Sequence, residues 1–171
     1  MLKFKLYYDK DEEEDWLRTM SLNGWAFKKF FLGFYTFQQC EPGEYSYQID
    51  LLDNWKGDKE EYASFMEEAG IEVIGQWWRW VYLQKKAVDG PFEMYTDVES
   101  KIAQYSKIEK FFKVFLAVEI IIFFIELVGT ITTGSYIIGI FTVVLAVISF
   151  SILKLVLKCK RKIQQFKREE I

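Results

Sequence analysis

The sequence predicts an α+β domain followed by a helical hairpin that crosses a membrane. Three observations carry this reading. Residues 111–157 are almost wholly apolar, whereas nearly all acidic side chains lie before residue 110. All 6 tryptophans precede residue 100. A strand–helix–strand–strand pattern occurs twice, displaced by 46 residues. The overall averages, 51% hydrophobic with a net charge of −3, mix a part suited to water with a part suited to lipid.

The elements follow in chain order. Leu2 to Tyr8 alternates like a strand, with Phe4, Leu6 and Tyr8 on one face. Asp11 to Asn23 reads as a helix: acidic residues crowd its first turns, Trp16, Leu17 and Met20 form its apolar stripe, and Gly24 closes it. Trp25–Phe31 and Phe34–Cys40 read as strands around Gly33, and Glu41-Pro42-Gly43-Glu44 as a turn. Tyr45–Leu52 is a strand and Asp58–Ala69 a second helix ended by Gly70. Ile71–Gly75 and Trp77–Lys86 are further strands, Asp89-Gly90-Pro91 breaks the chain, and a helix begins at Asp97.

The displacement of 46 aligns Trp16 with Tyr62, Met20 with Met66, Gly24 with Gly70 and Phe34 with Trp80. It divides residues 1–96 into repeats of about 1–44 and 45–88. Such a pair is expected to build one antiparallel sheet with both helices on one face, related by a pseudo-twofold axis. Residues 97–112 form a connecting helix, and 158–171 a basic tail.

Two apolar runs, 111–131 and 136–157, are each about 20 residues long, which at 1.5 Å per residue matches a hydrocarbon core of roughly 30 Å. The four residues Thr132 to Ser135 leave room only for a tight turn. Lys101, Lys107, Lys110 and Lys113 precede the first run, and Lys154, Lys158, Lys160, Arg161 and Lys162 end the second. The positive-inside rule then predicts a multi-pass cell-membrane protein with both termini cytoplasmic. The Lys158–Lys162 cluster also suits anionic headgroups.

Glu119 and Glu126 interrupt the first run, seven residues apart on one helix face. Each costs about 2.5–3.5 kcal/mol near mid-membrane on insertion scales. Folding the hairpin about Thr133 brings Glu126 toward Thr142 and Glu119 toward Ser149. The two glutamates then serve as hydrogen-bonding glue, as proton or ligand handlers, or as an interface with another membrane protein.

Trp16, Phe27, Tyr35, Phe37, Tyr47 and Trp78 are expected mainly in a core, with a ligand cage as the functional alternative. In a strand, Trp77 and Arg79 would share one face and Trp78 and Trp80 the other. Helices cover only one side of a sheet, so the opposite aromatic face must pack on a membrane surface, a partner or a ligand. Trp25, Phe27, Trp77, Trp78 and Trp80 are therefore the candidate binding residues.

No glycine-rich phosphate loop, nucleophile elbow or histidine occurs, so the expectation is a non-enzyme without metal or cofactor. The acidic runs Asp11–Asp15 and Glu60-Glu61 read as solvated helix faces. Cys40 and Cys159 are expected as free thiols. The acidic domain lacks the basic footprint of a nucleic-acid binder.

Several stretches carry a family resemblance. They are Asp15-Trp16-Leu17, Asn23-Gly24-Trp25, Tyr35-Thr36-Phe37, Cys40 to Tyr45 with Tyr47, Ile49-Asp50, Trp78, and Tyr95-Thr96-Asp97 to Tyr105. Together they resemble the bacterial domain-of-unknown-function family numbered 2812. The resemblance implies a Gram-positive-type membrane protein, often encoded beside a PadR-like regulator, with no established activity or catalytic residues. The second repeat departs at Ile71, where it lacks the glycine–tryptophan pair of Gly24-Trp25. In element order alone, residues 1–86 also resemble the gyrase-inhibitor-like ligand-binding superfamily, whose clefts combine aromatics with a carboxylate. These readings lead to a membrane-anchored sensor or adaptor that binds a protein partner or an apolar molecule, or that forms a homo-oligomer. The alternative is a small transport or immunity component acting through Glu119 and Glu126.

Overall fold

A computed structural model describes residues 1–53 and 59–169, and the chain divides into two compact units, Met1–Met94 and Tyr95–Ile171. The first unit is the expected α+β domain. Its elements are β1 (Leu2–Phe4), α1 (Lys10–Leu22), β2 (Trp25–Phe31), β3 (Phe34–Gln39), β4 (Tyr45–Leu51), α2 (Lys59–Glu68), β5 (Glu72–Trp77) and β6 (Trp80–Lys86). The predicted start of the second helix at Asp58 lies outside the described residues.

The strands form not the single expected sheet with both helices on one face but two three-stranded antiparallel sheets, β1-β3-β2 and β4-β6-β5, each with its own helix. Each repeat places its third strand between the other two. The correspondence reaches the backbone. Both second strands shift register at equivalent points, between Phe27 and Lys29 in β2 and between Val73 and Gly75 in β5. A bulge adds a residue to one strand and sharpens its twist. Gly24 and Gly70, which end the two helices, both have positive φ.

Each helix covers the equivalent face of its own sheet. Trp16 packs on Tyr35 and Phe37, at ring centroid distances of 4.8 and 5.5 Å. Met66 of α2 packs with Val81 and Leu83, the counterparts of Tyr35 and Phe37. The two repeats do not pack symmetrically, however. Tyr82 projects from β6 on the side opposite Val81 and Leu83, and it is buried in the core of α1 with Leu17, Met20, Phe27 and Ile49. Its counterpart Thr36 is exposed. The repeats therefore succeed one another: the helix side of the first sheet meets the Tyr82 side of the second, and α2 lies beyond.

Helix α1 also closes the free edge of β4. The Tyr45 N–H donates to Ser21 Oγ (3.1 Å), and the Ile49 N–H donates to Glu14 Oε1 (2.7 Å). An open sheet edge is a template for unwanted pairing, and here a helix occupies it.

The β5–β6 hairpin turns at Trp78-Arg79, not near Gln76 as expected. Trp77 pairs directly with Trp80 across the ladder, so these two share a face, and Trp78 sits in the turn at φ 55°. No glycine marks this turn in the sequence.

The second unit is a pair of long helices, α3 (Val98–Thr133) and α4 (Tyr136–Glu169). Both are long and apolar enough to cross a membrane. Asp97 caps α3 by accepting the Ser100 N–H at 2.7 Å. Gly134 ends it in the left-handed region at φ 62°. The basic segment expected as a tail continues α4 as helix through Glu169. Tyr105 accepts a bond from Lys162 Nζ at 2.8 Å, which ties the polar ends of the two helices together.

Candidate functional site

The chemistry of the α+β domain concentrates where its two sheets meet. Glu13 lies one helical turn before Leu17 and two before Met20, on the buried stripe of α1. Its carboxylate Oε1 accepts hydrogen bonds from Tyr35 Oη at 2.6 Å and Tyr82 Oη at 2.8 Å. Tyr35 stands on β3 and Tyr82 on β6, so one carboxyl oxygen joins the central strands of both sheets. Burial pushes the Glu13 carboxyl up to about 7, against the opposing pull of its two tyrosine donors. Burial also raises both tyrosine hydroxyls, helped by the adjacent carboxylate.

Aromatic rings surround this cluster. Phe30 contacts Tyr35, Tyr82 and Trp77 at 4.8, 5.4 and 5.7 Å. Phe27 contacts Tyr82 at 5.2 Å. Tyr47 accepts the Phe27 N–H at 2.9 Å, a second link between the sheets. Gln84 projects on the same side of β6 as Tyr82. Its amide donates to Glu72 at 2.7 Å, while its oxygen is buried without a hydrogen-bond partner.

Beside Glu13, Glu14 pairs with Lys10 at 3.2 Å, and Lys10 also pairs with Asp11 at 3.2 Å. Burial raises the Glu14 carboxyl, and the Lys10 ammonium opposes that rise. The acidic start of α1 is thus only in part the expected solvated face: Glu12 and Asp15 are exposed, but Glu13 is buried and Glu14 half-buried. Glu13 and Glu14 turn inward and add hydrogen bonds to the second repeat, through Tyr82 and the Ile49 N–H.

The candidate binding residues separate. Phe27 is core, 1% exposed. Trp25 and Trp80 are half-buried against that core. Trp77 and Trp78 are 38% and 39% exposed, Trp77 beside Phe30 and Trp78 at the turn. Glu13, Tyr35 and Tyr82 were absent from the binding set, although the spacing of Glu13 from Leu17 and Met20 was visible in the sequence.

In the second unit, Ser149 Oγ donates to Glu119 Oε2 at 3.2 Å, the expected pair. Thr142 does not meet Glu126. Its hydroxyl lies 3.2 Å from that of Thr130, one turn nearer the loop. Thr130 also donates to the Glu126 carbonyl at 2.9 Å. Glu126 Oε2 is buried without a hydrogen-bond partner. Cys40 and Cys159 are free thiols.

These features define a two-part protein: a duplicated α+β domain with a carboxyl–tyrosine cluster at its seam, and a helical hairpin long and apolar enough to cross a membrane. The chain belongs to the family described as Protein of unknown function (DUF2812), whose model matches residues 9–117. Comparison with curated proteins and with solved structures finds no match to either.

Proposed function

We propose that this protein is a non-enzymatic, membrane-anchored sensor. Its α+β domain recognises an apolar ligand carrying a cationic group, at the seam around Glu13. Its hairpin holds the domain at the cell membrane with both termini cytoplasmic. The observation that carries this reading is the single carboxyl oxygen of Glu13, bonded to Tyr35 and Tyr82 among aromatic rings. A buried carboxylate beside ring faces is the chemistry that holds an organic cation. The seam also joins the two repeats, so occupancy there would change their mutual packing, which a protein partner such as a transcriptional regulator could read.

The test is a titration of the full chain in lipid nanodiscs with a lipophilic phosphonium cation, followed by tryptophan fluorescence. Saturable quenching that Glu13→Gln abolishes supports the reading. Equal response in wild type and Glu13→Gln refutes it.

A second reading has its own observation. Glu126 Oε2 is buried and unmet in the hairpin, and ionisable groups at membrane depth mark functional sites by default. A transport or immunity component would need both Glu119 and Glu126. Retained biological activity in the Glu119→Gln, Glu126→Gln double variant removes proton or cation handling and leaves the sensor reading intact.

A further inference from the structure

The outer face of the β1-β3-β2 sheet carries a continuous apolar surface. Phe4 pairs with Phe34, and Phe34 pairs with Phe31, so three phenylalanines form one row across three strands. They are 58%, 46% and 58% exposed. The row continues over the hairpin tip. Phe4 and Leu6 lie so close above Gly33 that a Cβ there would meet them at 2.8 and 2.9 Å. Leu6 and Leu32 are 64% and 55% exposed.

Three further observations bear on what covers this face. The equivalent face of the other sheet is largely covered, with half-buried Trp80 and buried Tyr82 standing where Phe34 and Thr36 stand here. Because the repeats succeed one another, the first sheet is left with the uncovered end. Next, Leu32 occupies a left-handed turn position at φ 46°, where glycine or asparagine is ordinarily favoured. An exposed leucine held in a strained turn gains nothing within the domain, and such strain collects at functional sites. Last, strand β2 carries Lys28 and Lys29 and no acidic side chain, in a chain of net charge −3, whereas Lys3 and Lys5 belong to the helix side, Lys3 paired with Tyr35 and Lys5 over the Trp16 ring. Lys29 lies on the outer face itself, in line with Leu2 and Thr36.

We propose that this face is a lipid-docking surface. The phenylalanine row and Leu32 enter the headgroup region of an anionic leaflet, and Lys28 and Lys29 pair with headgroup phosphates. Exposed apolar side chains with adjoining lysines are the composition of an interfacial anchor, which sits about 5–10 Å into the boundary. The inference rests on the membrane reading above. Residues 95–110 would then be a short covalent tether between the domain and the hairpin. That tether makes docking effectively intramolecular, so modest affinity suffices.

The experiment uses the full chain, one copy per nanodisc, with an environment-sensitive fluorophore at Leu32→Cys or, separately, at Leu6→Cys, in a Cys40→Ser, Cys159→Ala background whose near-ultraviolet circular dichroism matches wild type. In discs containing phosphatidylglycerol, shallow spin-labelled lipid should quench either label several-fold more than in detergent. Lys28→Glu with Lys29→Glu should reverse most of that quenching, as should high salt. A label that stays in water while the hairpin is inserted overturns the inference and leaves the membrane reading standing. Protection that appears only with several copies per disc assigns the face to a second copy and overturns it likewise. A chain that does not integrate into the disc at all overturns both.

Discussion

Leu32 and Trp78 occupy the same place in the two repeats: each is the first turn residue of its hairpin, and each has positive φ, 46° and 55°. L-residues pay about 1–2 kcal/mol for that conformation. The hairpin beginning at Leu32 continues into Gly33, also left-handed at φ 83°, so its backbone matches the tight turn that favours asparagine–glycine.

Leu32→Asn should therefore stabilise the domain, by about 0.5–1 kcal/mol. The urea midpoint of tryptophan fluorescence should rise with an unchanged slope. A fall would mean that Leu32 packs against something that stabilises the fold.

Glu13 makes domain stability depend on pH. Its folded carboxyl titrates at about 7, above its ordinary value of 4.5. The folded state thus binds the proton more tightly than the unfolded chain. The stabilisation is fully present below about 4.5 and is lost as pH rises through 7. Its size is on the order of 3 kcal/mol. Thermal unfolding between pH 5 and 8 should show this decline, and Glu13→Gln should flatten it.

Tyr82→Phe removes one donor from the Glu13 carboxylate while keeping the ring among Phe27 and Phe30. The expected cost is about 1–2 kcal/mol above pH 7, and less below it, where the protonated acid needs fewer donors. The Glu13 titration should also move further up. Carbon-13 NMR of labelled glutamate measures that shift directly, and an unchanged value would contradict the bond to Tyr82.

The hairpin glutamates should respond in opposite directions. Ser149→Ala removes the donor to Glu119 and should destabilise the helix pair by about 0.5–1 kcal/mol. Glu126→Leu replaces a buried, unmet oxygen with an apolar group and should be neutral or stabilising. Unfolding of the full chain in bicelles distinguishes the two.

Residue patterns revealed much of this architecture. Both helical runs, the strand–helix–strand–strand units and the Glu119–Ser149 pair follow from hydrophobic periodicity and helical spacing. The succession of the repeats was not legible, because the alternation in β6 shows that Val81 and Tyr82 face opposite ways but not which neighbour each meets. The turn at Trp78-Arg79 was missed for want of a glycine, though the displacement of 46 from Leu32-Gly33 pointed to it. Glu13 was hidden by composition: amid Asp11, Glu12, Glu14 and Asp15 it reads as one of a solvated group. Its distance from Leu17 and Met20 was the stronger signal, since helical phase and not charge determines which side chain turns inward. Thr142 reached Thr130 instead of Glu126, a choice one helical turn along the facing helix that residue spacing alone does not decide.

The closure of the β4 edge by α1 has a consequence for how the domain fails. Ser21 and Glu14 belong to the first repeat, yet the backbone groups they satisfy, on Tyr45 and Ile49, belong to the second. A fragment beginning near Tyr45 would keep its three strands but lose the guard on their open side. Proteolysis between α1 and β4 should thus convert a self-contained domain into one that recruits foreign strands, so the duplication ended the independence of its own halves.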